Sequence, residues 1–267
     1  MVYIADLKPH EEVIEEIVEK LANDIRQDGI VRDPLIVDQE HLVILDGMHR
    51  FNSLKRLGCR FAPCCMLDYM SPLIQVGSWF RALTVHDARL MAESVLSRLE
   101  LEYSPKQTDA MQGYDSNTII LTENSTGFSL KTSKDELERC RTAATIEKQL
   151  IGDGLKVAYL SESLALQWLR SGRANFVIVL PEFTKEEICE FGMEGVLLPH
   201  KVTRHVIPSR PMAIDVPLNL LMDPTISRKE ADGRLGKLLM GRRVDRKPPG
   251  SVIDGRKYDE ELLVFSS

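Results

Sequence analysis

The run Val43-Ile44-Leu45-Asp46-Gly47-Met48-His49-Arg50-Phe51-Asn52-Ser53-Leu54-Lys55-Arg56-Leu57-Gly58 holds the residues whose types and spacing point most directly to chemistry. An apolar strand, Leu42 to Leu45, turns through one glycine into a helix marked by Phe51, Leu54 and Leu57, with Gly58 as its stop. His49 and Arg50 therefore fall in the first helical turn, where backbone N–H groups lack intrahelical partners and the macrodipole is positive. Backbone donors, an imidazole and a guanidinium at one point make a holder for a polyphosphate. The same residues also describe an ordinary strand–turn–helix corner, with Asp46 capping the helix and His49 and Arg50 in water.

Two further stretches combine reactive side chains. Pro9-His10-Glu11-Glu12 precedes a helix that continues with Glu15, Glu16 and Glu19. Most of these carboxylates are explained as a solvated face or as favourable charges near a helix start. In Leu197–Arg210, an extended chain would put Lys201, Thr203 and His205 on one face and Val202, Arg204 and Val206 on the other. A cation, a hydroxyl and an imidazole in a row suit a small polar substrate such as an amino acid, and equally an edge strand showing its polar side to water. Arg228–Lys247 holds eight Lys or Arg against three Asp or Glu, a helix leaving through Pro248-Pro249-Gly250, and is read as solvated surface, with contact to phosphate or nucleic acid as the alternative.

Positioning these residues requires alternating helices and strands. Val13, Ile14, Ile17, Val18, Leu21 and Ile25 predict a helix over 12–28, stopped by Gly29. Strands are expected at Pro34–Val37, Leu42–Leu45 and Phe61–Leu67, then a helix from about Val76 to Leu99. Residues 102–117 are rich in turn formers and read as a linker. Thr118–Thr122 and Gly127–Lys131 flank the polar turn Glu123-Asn124-Ser125-Thr126 as a hairpin. Helix Ser133–Leu150 opens on a capping-box pattern, Ser133 with Glu136, and helix Glu162–Ser171, strand Phe176–Leu180 and helix Lys185–Phe191 follow. The order of elements implies α+β or mixed α/β, with a nucleotide-binding module over 1–100 and a second α/β lobe over 101–267 that completes the site.

The chain has 267 residues, 43% of them hydrophobic and 28% charged, a globular balance long enough to bury a full core. No segment reaches the apolar length of a membrane span, and the N-terminus lacks a basic-then-apolar pattern, so a cytoplasmic protein is expected. A formal charge of −6 argues against non-specific nucleic-acid binding. Five cysteines with no CxxC pair argue against a disulfide framework, and Cys64 and Cys65 are read as small core residues on opposite faces of a strand.

The fragment DPLIVDQEHLVILDGMHRFNSLKRLGC resembles the N-terminal module shared by ParB proteins, sulfiredoxins and free-serine kinases, in which a D/G-G-x-H-R corner holds nucleotide phosphates. His10-Glu11, Trp79 and LPHKVTRHVIPSRPMAIDVPLNLL (198–221) together resemble the free L-serine kinases, which make O-phospho-L-serine. The resemblance implies a ParB/sulfiredoxin-like module and a kinase that uses Mg²⁺ with ADP or ATP, ADP favoured. L-serine and the nucleotide are its partners, with no membrane and no nucleic acid. It assigns Glu11 as the base for the serine hydroxyl, Asp46 as the acidic residue of the corner and a Mg²⁺ ligand, and Gly47, Met48, His49 and Arg50 as the phosphate wrap. Trp79, Lys201, Thr203 and His205 become the amino-acid pocket. A second histidine is common in the family where this chain has Met48, which leaves position 48 only a backbone N–H to offer. A ParB-type DNA-binding switch would need a helix-turn-helix reader, and no convincing basic recognition helix is read between residues 70 and 150. Sulfiredoxin activity would need a cysteine in the corner, where Met48 stands.

Overall fold

The structure, a computed structural model, describes residues 1–107, 117–123, 126–131, 135–253 and 255–266. Its fold is mixed α/β. Among the described residues eight α-helices occur: α1 (Glu15–Asp28), α2 (Met48–Arg56), α3 (Ala88–Arg98), α4 (Glu136–Gly152), α5 (Glu162–Arg170), α6 (Lys185–Glu194), α7 (Leu218–Met222) and α8 (Arg228–Met240). The chain divides into two compact units. One comprises 1–75, 185–197 and 205–267, and the other 76–184 and 198–204. The first break falls near residue 75 rather than at 100, and residues 185–197 and 205–267 return to the first unit.

In the first unit, strand Leu35–Asp38 lies between Ile44–Asp46, antiparallel, and Cys64–Leu67, parallel. Helices α1 and α2 pack beside it, and Val18, Ala22 and Ile25 of α1 and Phe51 and Leu54 of α2 are buried. Met48 is buried in the same core as Leu35, Ile44 and Phe51, so its side chain is structural. The chain comes back as strand Arg210–Met212, which pairs in parallel with the C-terminal strand Leu262–Ser266; Arg243–Lys247 completes this second small sheet.

In the second unit a sheet runs in the order Ala158–Ser161, Gln75–Leu83, Phe176–Ile178, Thr118–Thr122, Thr126–Leu130, Tyr103–Gln107, and strand Thr203–Val206 also pairs with Gln75–Leu83. Phe80, Ala82, Leu121, Leu160, Leu166 and Val177 form its core with α5. The hairpin expected at 118–131 is present, although its turn residues 124 and 125 lie outside the described residues, as does most of the expected linker.

Three local expectations are corrected. Helix α1 begins at Glu15, so Glu11 and Glu12 precede it in irregular chain; the backbone N–H of Ile14, its N-cap, is bound by His49 Nε2 at 3.2 Å. The expected helix 76–99 is strand Gln75–Leu83 followed by the shorter α3, capped by the Asp87 side chain. Helix α4 is capped by Asp135, whose side chain accepts from Glu138 N–H; Ser133 lies outside the described residues.

Candidate functional site

The corner is built as expected at its centre. Gly47 has φ +101°, and a Cβ there would lie 2.8 Å from Leu35 Cδ2 and 3.0 Å from Arg50 Nη1, so only glycine lets the strand turn into α2 at this point. No side chain caps the start of α2. Its first-turn N–H groups therefore depend on something other than a protein cap, and Asp46 does not act as one.

Asp46 instead faces an arginine. Its Oδ2 accepts from Arg210 Nη1 at 2.6 Å, and Oδ1 lies 3.9 Å from Arg256 Nη1. Arg210 is 2% exposed, donates through Nε to Glu260 at 2.7 Å and through Nη2 to the His205 carbonyl at 3.2 Å. Burial alone would raise the Asp46 pKa, but the guanidiniums of Arg210, Arg256 and Arg50 outweigh it and hold the carboxyl well below the usual carboxylate range. Asp46 is thus an anion at any working pH, set among cations that a phosphate could also use.

His49 and Arg50 are both engaged by the protein. His49 Nε2 accepts from Ile14 N–H, which in a neutral ring leaves the proton on Nδ1. Arg50 donates to the Pro34 carbonyl at 2.6 Å and approaches Asp33 at 3.8 Å, so it braces the turn from beneath as well as adding charge beside Gly47.

Two histidines and a tyrosine form a second cluster, of which His205 acts on the Asp46 carboxylate. His10 is fully buried, and its Nδ1 donates to the Ile44 carbonyl at 2.7 Å; Nε2 is 4.0 Å from Glu11 Oε1. Burial lowers the His10 pKa to about 4 against the pull of that carbonyl, so the ring is neutral at pH 7. His205 stands edge-on to His10 with centroids 5.9 Å apart, and its Nε2 meets the Tyr69 hydroxyl at 2.8 Å. Burial, and then the neighbouring His10, lower its pKa to about 3. The Glu11 side chain is only 11% exposed.

The other residues of the expected amino-acid pocket lie in the second unit. Trp79 N–H donates to the Val202 carbonyl at 3.2 Å, and the Arg204 guanidinium sits 5.3 Å from the Trp79 ring centre. Thr203 is buried, whereas Lys201 is not in the strand: its φ is +53° and its ammonium lies 4.1 Å from the centre of the Tyr159 ring. The alternation expected from Lys201 through His205 therefore holds only for Thr203 and His205, both 7% exposed. Arg81, fully buried, fixes this loop by donating to the carbonyls of Trp79, His200 and Lys201 at 2.8, 2.9 and 3.1 Å, and to Glu147 Oε2 at 2.8 Å.

Sequence reasoning gave no role to Arg210, Tyr69, Glu260, Arg256 or Arg81. Arg210 stood inside the quoted 198–221 fragment, and its Pro-Ser-Arg-Pro context was the one available signal.

No protein-family profile matches the chain. An ATP-dependent L-serine kinase of Staphylothermus marinus is 24% identical over 228 residues, spanning 83% of this chain and 90% of the relative. An ADP-dependent L-serine kinase of Thermococcus kodakarensis is 25% identical over 80% of this chain and 89% of its own. Among solved structures, a free serine kinase in complex with AMP superposes with a TM-score of 0.70 at 25% identity, over 82% of this chain and 92% of that one. In sequence and in fold, over most of its length, the chain resembles the free L-serine kinases.

Proposed function

We propose that this protein phosphorylates the hydroxyl of free L-serine with a nucleotide donor and releases O-phospho-L-serine. The observation that carries the reading is the first unit's corner. It joins a helix start without a side-chain cap, a carboxylate held ionised by arginines, and a sheltered Glu11 beside a neutral histidine, in a chain similar to L-serine kinases over most of its length. Phosphoryl transfer asks mainly for positioning and charge neutralisation. Gly47, Met48, His49 and Arg50 would hold phosphate oxygens, the first three chiefly through backbone or ring N–H. Glu11 would take the serine proton as the hydroxyl oxygen bonds to phosphorus and the bond to the leaving phosphate breaks.

ADP is the donor we propose, giving AMP; relatives of both donor types are known, so ATP, giving ADP, is the alternative. Mg²⁺ supplied with the donor would be held on the protein side by Asp46 through Oδ1, because Oδ2 is committed to Arg210. When bound, it would offset charge on the transferred group. Serine recognition is assigned by resemblance to Trp79, Lys201, Thr203 and His205. A DNA-binding switch has less support between residues 70 and 150, where among the described residues three strands, rather than the short turn of a helix-turn-helix, separate α3 from α4. Among the described residues no helix is long and apolar enough to cross a membrane.

The test is to incubate the protein with Mg²⁺, each of ADP, ATP and CTP, and a panel of amino acids. O-phospho-L-serine together with AMP is the expected product pair; ADP in place of AMP moves the donor to ATP. Phosphorylation of no amino acid under any condition overturns the kinase reading.

A further inference from the structure

We infer that Asp38, His41 and Cys189 form a binding site for a divalent cation of zinc type, separate from the corner chemistry. Their ligand atoms, one carboxylate oxygen, one imidazole nitrogen and one thiol sulfur, lie within 4.8 Å of one another. No sequence spacing announces the set, since two members sit in one turn and the third arrives on a helix far along the chain.

The turn is tight. Asp38 ends strand Leu35–Asp38, and its Oδ2 accepts from both the backbone N–H of His41 at 2.8 Å and the His41 Nδ1 at 2.9 Å. Helix α6 is laid closely over it: a Cβ on Gly192 would stand 2.7 Å from Val43 Cγ2. Cys189 lies three residues earlier on α6, so the same helical face that meets the hairpin delivers the sulfur. Asp38 is 3% exposed and Cys189 2%, while the His41 side chain keeps 27% of its surface, which leaves an approach from solvent.

Carboxylate, imidazole and thiolate together are a donor set of the kind zinc takes, with ligand distances of about 2.0–2.3 Å and a fourth position for water or a further carboxylate. The surroundings favour a cation. The carboxylates of Asp38, Glu186 and Glu40 all act on the Cys189 thiol, so negative charge surrounds the three ligand atoms. On binding a divalent ion, the thiol proton would leave to solvent and the metal would replace the proton shared by His41 and Asp38. The ion would then pin α6 to the strand–turn that leads into the corner.

The test uses the full chain stripped with a chelator and titrated with Co²⁺, which reports thiolate ligation by a charge-transfer band in the near ultraviolet. A single equivalent of cobalt giving that band, displaced by Zn²⁺ and accompanied by a higher melting temperature, is the expected result. Cys189→Ser should abolish the band and Cys64→Ser should keep it. His41→Ala, at a partly exposed ring, should weaken cobalt binding by at least about tenfold. Absence of the band in the wild type, or its survival in Cys189→Ser, overturns the site. Should Cys189→Ser fail to fold, His41→Ala decides alone: unchanged cobalt affinity overturns the proposal. None of these readouts depends on kinase activity.

Discussion

Arg210 in the first unit and Arg81 in the second are both large side chains sealed from water, yet they are used in different ways. Arg81 spends its donors on three backbone carbonyls and one carboxylate, Glu147, which also accepts from the Tyr159 hydroxyl. Every one of these partners is part of the framework, so Arg81 is a clamp that holds the 200–201 loop against strand Gln75–Leu83. Arg210 divides itself between buried Glu260 and Asp46, whose side chain keeps 32% of its surface. A buried cation thus links an inner carboxylate to an outer one that solvent can reach. The contrast teaches that burial of an arginine says little about its use; the exposure of its partners says more.

Removing Arg81 should have the largest effect and should be felt as stability. Arg81→Met leaves Glu147 buried without its cation, and a loss of about 3–5 kcal/mol in urea unfolding is expected. Adding Glu147→Gln should recover part of it. Wild-type stability in the single variant would end the clamp reading.

The chemical side of the contrast rests on Glu11. Glu11→Gln cannot accept a proton, and turnover should fall by roughly 10²–10⁴-fold while nucleotide binding survives. Glu12→Gln is the control and should behave as surface. Full activity in both variants rules out the carboxylate-base mechanism, and loss only in Glu12→Gln shifts it by one residue.

Acid should act on the first unit through its buried histidines. An unfolded histidine titrates near 6.5, whereas burial holds His10 at about 4 and His205 at about 3. As pH falls below about 6.5 the unfolded chain takes up protons that the folded one refuses, so stability drops until the folded rings titrate. Asp46 adds the same sign at lower pH: its stabilisation is present above the ordinary carboxylate value and is lost as pH falls toward its depressed one. Urea midpoints between pH 7 and pH 4.5 should decline by the equivalent of a few kcal/mol, and His205→Gln should flatten the slope. A flat wild-type profile would contradict neutral buried rings.

The smallest effects are expected at the proposed serine contacts. Lys201→Ala should raise the KM for serine roughly ten- to a hundredfold, as loss of a charged hydrogen bond would, with Thr203→Val below it and the nucleotide KM unchanged in both. Equal changes in both KM values would make this loop purely structural, an extension of the Arg81 clamp.

The strand–glycine–helix corner, the amphipathic run of α1 and the hairpin at 118–130 were all legible in the sequence, because each is specified by neighbours within a few residues: apolar spacing, a glycine at a turn, and a polar turn between two β-type runs. Strand Gln75–Leu83 was not. It is paired on both edges and its last four residues, Phe80-Arg81-Ala82-Leu83, are all buried although one is a cation, so no alternation of apolar and polar residues marks it as a strand. The early limit of α1 was hidden for a related reason, since His49, 35 residues away, binds the Ile14 N–H where the helix starts. The sequence by itself determined that the apolar strand would turn through Gly47 into a helix opening on Met48, His49 and Arg50. Only the tertiary structure decided that Asp46 would face Arg210, 164 residues distant, rather than cap its own helix, and that Tyr69 would meet His205. Local spacing sets backbone hydrogen bonding, but the partner of a charge depends on which strands lie side by side, and here Arg210–Met212 is placed by its pairing with the C-terminal strand.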